Sequence, residues 1–209
     1  MNAHVSSAEL ATTVVQEDMA RADFYALISR LFYAGPDAGL LAAMAATDEI
    51  AGEAEHVPLA QAWKSLILAA AAMDAEAARE EYDSVFVGTG KAEITPYVSH
   101  YVAESMKENV LVRLRAELAE LGLQRDRRAA EYEDHFSGLC DVMRHLIFFG
   151  AGDVAVQKQK SFFMRYLVPS YASICAAVVA SPNTNFYKHV ARFTEAFMDV
   201  EKAAFEIAQ

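Results

Sequence analysis

Between Glu131 and Phe149 the chain reads EYEDHFSGLCDVMRHLIFF, and this stretch constrains the fold more than any other. Tyr132, Phe136, Leu139, Met143, Leu146 and Gly150 recur at spacings of four, three, four, three and four. That is the period of a helix with one apolar face. Beside the stripe, Asp134, Gly138, Asp141 and His145 recur at four, three and four, so on one helix they form a polar row. His135 follows Asp134 and stands one turn from Glu131. A helical glycine costs roughly 1 kcal/mol relative to alanine, so Gly138 predicts close backbone approach at this row.

The rest of the chain repeats the helical period between clear stops. A first helix, strongest from Gln16 to Tyr33, carries Phe24, Leu27, Ile28, Leu31 and Phe32 on its buried face; residues 1 to about 8 should fray. Gly35-Pro36 ends it, and Asp37 caps a short helix to about Ala46. Thr47 to Val57 reads as a loop. Pro58 opens a helix with Trp63, Leu66, Ile67 and Ala70, and Asp74 caps another from Ala75 to Phe86. Val87 to Val98 holds two glycines and a proline and forms the longest break, with Ala92 to Val98 its one strand-like piece. Ser99 then caps a helix that runs to about Leu121 and stops at Gly122. After the central helix, Gly150 and Gly152 make a turn, Asp153 starts a helix that Pro169 must kink, and Ser181-Pro182 ends that element. The last helix, Asn183 to about Ala208, repeats Phe186, Val190, Phe193, Phe197, Val200, Ala204 and Ile207 at four-three spacing. The pattern covers barely three heptads without alternating flanking charge, so it reads as a core helix and not a zipper. The expectation is an all-α bundle of about eight to nine helices. It forms one domain over 1–209, with halves of about 8–121 and 131–208 joined by a hinge at 122–130.

Composition narrows function. The net charge of −11 sets the chain against nucleic acid, which a binder must meet with lysine and arginine, and in favour of a basic partner. Cys140 and Cys175 lie in apolar helical contexts with no CxxC, which points to reduced thiols in a cytoplasmic protein. The N-terminus lacks the pattern of a signal peptide, and apolar runs such as Leu66 to Met73 are too short to cross a bilayer.

The candidate motifs are few. A di-metal bundle needs Glu-x-x-His on two helices, and this chain has no Glu-x-x-His, so neither a metal nor another cofactor is expected. No G-x-S-x-G nucleophile occurs. Val87 to Lys91 contains part of a phosphate loop but lacks the full motif and a preceding strand, so it reads as a turn. Arg125, Arg127 and Arg128 read as a solvated loop, with an anion or partner contact as the alternative. Asp134 and His135 have two readings, a helix pin or a charged edge that receives a cation.

Four stretches resemble the TorD/DmsD/NarJ family of chaperones for molybdenum oxidoreductases. Asp23 to Phe32 looks like the family's opening helix. Glu81-Tyr82, Phe86, Gly88, Pro96-Tyr97, Ser99 and Tyr101 look like its tyrosine–glycine–proline–serine loop. Glu131-x-x-Asp134-His135, followed by Asp141 and Met143, looks like its most characteristic motif. Lys160 to Pro169 and Phe186-Tyr187 look like its C-terminal half. Tyr166-Leu167 and Ser170 stand where the family usually has His-Leu and Trp.

The resemblance implies a non-enzymatic cytoplasmic chaperone. Its guest is the twin-arginine signal peptide, or N-terminal region, of an apo molybdopterin oxidoreductase subunit, held through cofactor insertion and export proofreading. Peptide-binding candidates are Glu131, Asp134, His135, Gly138, Asp141, Tyr97, Ser99 and Tyr101. No nucleic acid or membrane insertion is expected; a monomer is, or a dimer that swaps halves at the hinge. A nucleotide hydrolase using the Gly88 loop and a purely structural subunit are the alternatives. If the polar row is solvent-accessible, Asp134→Asn and Asp141→Asn should change folding by less than about 0.5 kcal/mol.

Overall fold

Short polar caps start the helices where the sequence places them. Asp37 accepts the Leu40 N–H and opens one helix; Asp74 accepts the N–H groups of Glu76 and Ala77 and opens another. The computed structural model describes residues 7–50, 57–88, 90–102, 107–126, 130–150 and 152–207. Among these residues there are nine α-helices: α1 Ser7–Tyr33, α2 Ala38–Ala45, α3 Val57–Ala72, α4 Ala75–Tyr82, α5 Lys107–Glu120, α6 Phe136–Phe148, α7 Gly152–Phe162, α8 Tyr171–Ala180 and α9 Phe186–Ile207. The fold is all-α, with no β-strand among the described residues. The expected fraying of residues 1–6, most of the loop after Ile50, and Arg127 and Arg128 lie outside them.

Helix α1 packs most extensively on α6 and also meets α9, while α9 packs against α3 and α8. Aromatic rings fill these seams. Phe32 meets Phe136 edge-on at 5.0 Å, and Phe24 meets Phe193 at 5.1 Å. Phe136 and Phe193 are fully buried, and each such ring contributes about 3–5 kcal/mol relative to alanine. Polar staples join distant stretches. Glu81 accepts the N–H groups of Asn185, Phe186 and Tyr187 and so caps α9 from α4. Arg21 on α1 donates from Nε and Nη2 to Glu201 on α9, which also accepts from the Tyr25 hydroxyl. One π-helical turn, Asp83–Val87, follows α4, and another, Phe163–Leu167, follows α7. Pro169 then bends the chain, and the segments Gly152–Leu167 and Tyr171–Ala180 diverge by 47°.

Several sequence expectations change. The central helix begins at Phe136, five residues after Glu131, where the sequence reading starts it, so Tyr132 and Asp134 are not on it. Tyr132 is 61% exposed although the period placed it in the core. Ser99 sits in the 3₁₀ turn Val98–His100, so it does not cap α5, whose described part is Lys107–Glu120. The strand-like Ala92 to Val98 contributes a single bridge between Tyr97 and His135. The close approach expected at Gly138 occurs instead at Gly150. A Cβ on Gly150 would lie 2.5 Å from the Leu146 oxygen and 2.6 Å from Ala155 Cβ; on Gly138 the nearest contact is an ordinary 3.6 Å. On α9 the buried face leaves the four-three pattern after Phe197 and passes through Glu201 and Phe205, leaving Ile207 81% exposed. An unsupercoiled helix drifts about 20° per heptad against a seven-residue repeat, which moves Ile207 off the core.

Candidate functional site

The segment before α6 is held by a backbone latch. The Val98 N–H donates to the Asp134 carbonyl at 3.0 Å, and the Phe136 N–H donates to the Pro96 carbonyl at 2.8 Å. The Asp134 carboxylate then accepts the Ser99 N–H at 3.1 Å. Asp134 is 1% exposed and His135 3%. Asp134 is therefore a staple between two loops and not a charge on an open helix edge. His135 caps α6: its Nδ1 accepts the Ser137 N–H and lies 2.7 Å from the Ser137 hydroxyl. The acceptor role at Nδ1 requires the neutral ring. Burial holds its pKa below the usual histidine value, against the opposing pull of Glu131 and Asp134. In geometry the pair holds the start of α6 in place.

Above the latch opens a cleft of about 620 Å³. One wall is α1, with Ala26, Ser29, Arg30 and Tyr33. The second is formed by residues 123–126 and 131–133 between α5 and α6, and the floor is α6, with Gly138, Asp141, Val142 and His145. Of the candidate residues, Glu131, His135, Gly138 and Asp141 line this cleft. Tyr97 stands behind it, donating its hydroxyl to Glu131 and meeting the His135 ring edge-on at 5.0 Å. Ser99 bonds Asp134, and neither lines the cleft; the Tyr101 hydroxyl donates to the Thr95 carbonyl. The structure therefore gathers four of the eight candidates around one opening and places the others beneath or beside it.

The carboxylates differ in what already holds them. Glu133 is engaged by Arg115 at 3.0 Å, with the Arg125 Nε at 3.9 Å. Glu131 receives the Tyr97 hydroxyl. Asp141 is exposed in the cleft and bonded by the Ser29 side chain. The surrounding walls strip water from it and raise its pKa, a shift that Ser29 and the Arg144 charge only partly reverse. A carboxylate kept short of solvent beside an open volume favours a cationic hydrogen-bond donor. Ser29, Arg30 and Tyr33 of α1 were not among the sequence candidates. Their signal was the polar break in the first helix's apolar face.

Among the described residues the metal and phosphate alternatives find no matching geometry. No group of three or more His, Cys, Asp or Glu side chains could hold a metal among the described residues. At Gly88 (φ +64°) the N–H donates to the Asp83 carbonyl, and a Cβ there would lie 2.2 Å from the Lys91 oxygen. Gly88 is thus packed against Lys91, and the next helical piece among the described residues is the three-residue turn at Val98.

The family model described as nitrate reductase delta subunit matches residues 53–176, from the approach to α3 into α8. The chain belongs to that family. Its members are chaperones of molybdoenzyme maturation. The matched span contains the latch, the α5–α6 connection and the whole floor of the cleft, while α1 lies outside it. Among curated proteins none matches closely enough to serve as a relative.

Proposed function

We propose that the chain binds the arginine-bearing N-terminal segment, a twin-arginine signal peptide or its equivalent, of a molybdoenzyme catalytic subunit. It holds the apoenzyme in the cytoplasm until its cofactors are inserted, and performs no turnover of its own. The observation that carries this reading is Asp141, an exposed carboxylate on the floor of a 620 Å³ cleft whose lining also includes Gly138 and Glu131. A guanidinium entering there meets two carboxylates with hydrogen-bond acceptors to spare, and Val142 and Tyr33 supply apolar contact beside them. The −11 charge steers such a guest toward the protein. Buried, unpaired Cys140 and Cys175 suit a reducing compartment, and no single described helix is long and apolar enough to cross a membrane. The expected form is a monomer, or a dimer that exchanges halves at 122–130.

The test is titration of the protein with the client's N-terminal peptide and with the same peptide carrying glutamine at its arginines. The reading predicts binding of the first and loss of binding with the second. Equal binding of both would remove the arginine-recognition role from the chain.

A further inference from the structure

The cleft is lined by bases as well as acids, and most of both are already matched within the protein. Arg30 donates to Asp37 at 2.9 Å. Arg125 donates to the Glu131 carbonyl and approaches Glu133, which Arg115 also holds. The Glu131 carboxylate receives the Tyr97 hydroxyl, and Asp126 is engaged as well. His135 is the neutral cap of α6. Two charges on the floor are left over. One is Asp141, and the other is Arg144, three residues further along α6. Both are exposed.

Arg144 has no hydrogen-bond acceptor or ion-pair partner among the described residues. Its guanidinium lies over the Phe148 ring, 5.4 Å from the centroid. That contact steadies the side chain through its face and leaves the N–H groups of the fork to be used. Asp141 feels the Arg144 charge without an ion pair joining the two. Side chains three apart on a helix have Cβ atoms about 5–6 Å apart, so the floor presents an acid and a base side by side. A guest arginine that seats on Asp141 therefore lies close to Arg144 and is repelled by it. A carboxylate next to that arginine in the guest offsets the repulsion and accepts from the Arg144 fork. A run of arginines and lysines alone does neither. A binder selects by what it repels as well as by what it attracts.

We propose that Arg144 is a specificity-determining residue of the cleft. It takes an aspartate or glutamate of the guest within about four residues of the arginine on Asp141, and so selects a charge-paired segment over a merely basic one. The proposal rests on Asp141 receiving the guest's arginine. The spacing suits either form of guest. Residues two apart on an extended segment share a face about 7 Å apart, and residues three or four apart on a helix lie about 5–6 Å apart.

The experiment is calorimetric titration with isomeric peptides of one composition and one net charge. Each carries an arginine pair and a single glutamate. The glutamate is set two, three or four positions from the nearer arginine, or moved to the far end of the peptide. Wild type should bind at least one of the near forms about fivefold tighter than the far form, the upper value for an exposed ion pair. Arg144→Gln should level that difference with its melting temperature at the wild-type value. It should also bind the far form more tightly than wild type does, because the repulsion of the guest arginine is gone. Arg144→Glu should recover a near-over-far preference when lysine replaces the glutamate of the peptides. A merely structural arginine moves none of these ratios. If every isomer binds wild type equally, or Arg144→Gln keeps the near preference, the proposal is overturned while the arginine cleft stands. If no isomer binds wild type, the arginine cleft falls with it.

Discussion

Replacing Asp134 with alanine should damage the fold, and replacing Asp141 should not, although the sequence sets both in one helical row. Asp134 is 1% exposed and its carboxylate accepts the Ser99 N–H at 3.1 Å, joining the 96–99 loop to the start of α6. A hydrogen bond to an ionised acceptor contributes about 1.5–3 kcal/mol. Asp134→Ala removes that bond and leaves the Ser99 N–H without its acceptor, so we expect a loss of about 2–3 kcal/mol. For a chain of 209 residues, each kcal/mol lowers the melting temperature by about 2–4 °C, so the variant should melt roughly 4–12 °C below wild type. Asp134→Asn retains an acceptor oxygen and should lose about 1 kcal/mol. The assay is thermal and urea unfolding followed by circular dichroism, with Asp141→Asn as the exposed control. If Asp134→Ala melts with wild type while peptide binding is lost, the side chain is a guest contact, and the reasoning from burial and the latch is refuted.

Other expectations follow from the same contacts. Glu201→Ala removes the acceptor of Arg21 and Tyr25 in the α1–α9 seam but leaves Arg21 bonded to Asp18 and Gln159, and should cost about 1.5–3 kcal/mol in urea unfolding. Gly138→Ala should be neutral or stabilising by up to about 1 kcal/mol, since the nearest atom to the new Cβ lies at 3.6 Å, whereas Gly150→Ala meets the Leu146 oxygen at 2.5 Å and should destabilise; paired melting curves decide. The raised pKa of Asp141 means that the folded state binds its proton more tightly than the unfolded chain does. Its contribution to stability is therefore fully present below the ordinary value of 3.8 and is lost as pH rises through the folded pKa. At neutral pH Asp141→Asn should melt at or slightly above wild type, with the gain fading as the pH falls toward 3.8; a variant that melts lower at pH 7 would contradict this.

Much of this architecture is legible in local pattern, and the failures share a cause. Asp37, Asp74 and Gly122 act within a few residues of themselves, so their helix boundaries follow from composition alone. The start of α6 does not. Residues 131–135 continue the helical period by coincidence, and what prevents a helix there is hydrogen bonding to Pro96, Val98 and Ser99, some 35 positions away. The C-terminal face of α9 is likewise set by a partner 180 positions distant, because Arg21 draws Glu201 inward. The cleft is half visible for the same reason. Gly138, Asp141 and His145 share one face of α6, but Ser29, Arg30 and Tyr33 join them only because α1 packs across that face.

The central claim is that Asp141 receives an arginine of the guest, and calorimetric titration of one arginine-bearing client peptide into wild type and Asp141→Asn tests it directly. Each titration is run at low and at high salt. Loss of one charge-assisted bond predicts affinity weakened by about 10- to 150-fold in the variant, from about 1.5–3 kcal/mol. It also predicts that added salt weakens wild type more than the variant. Equal affinities and equal salt dependence for the two proteins, both folded, would contradict the account and take the guest out of this cleft.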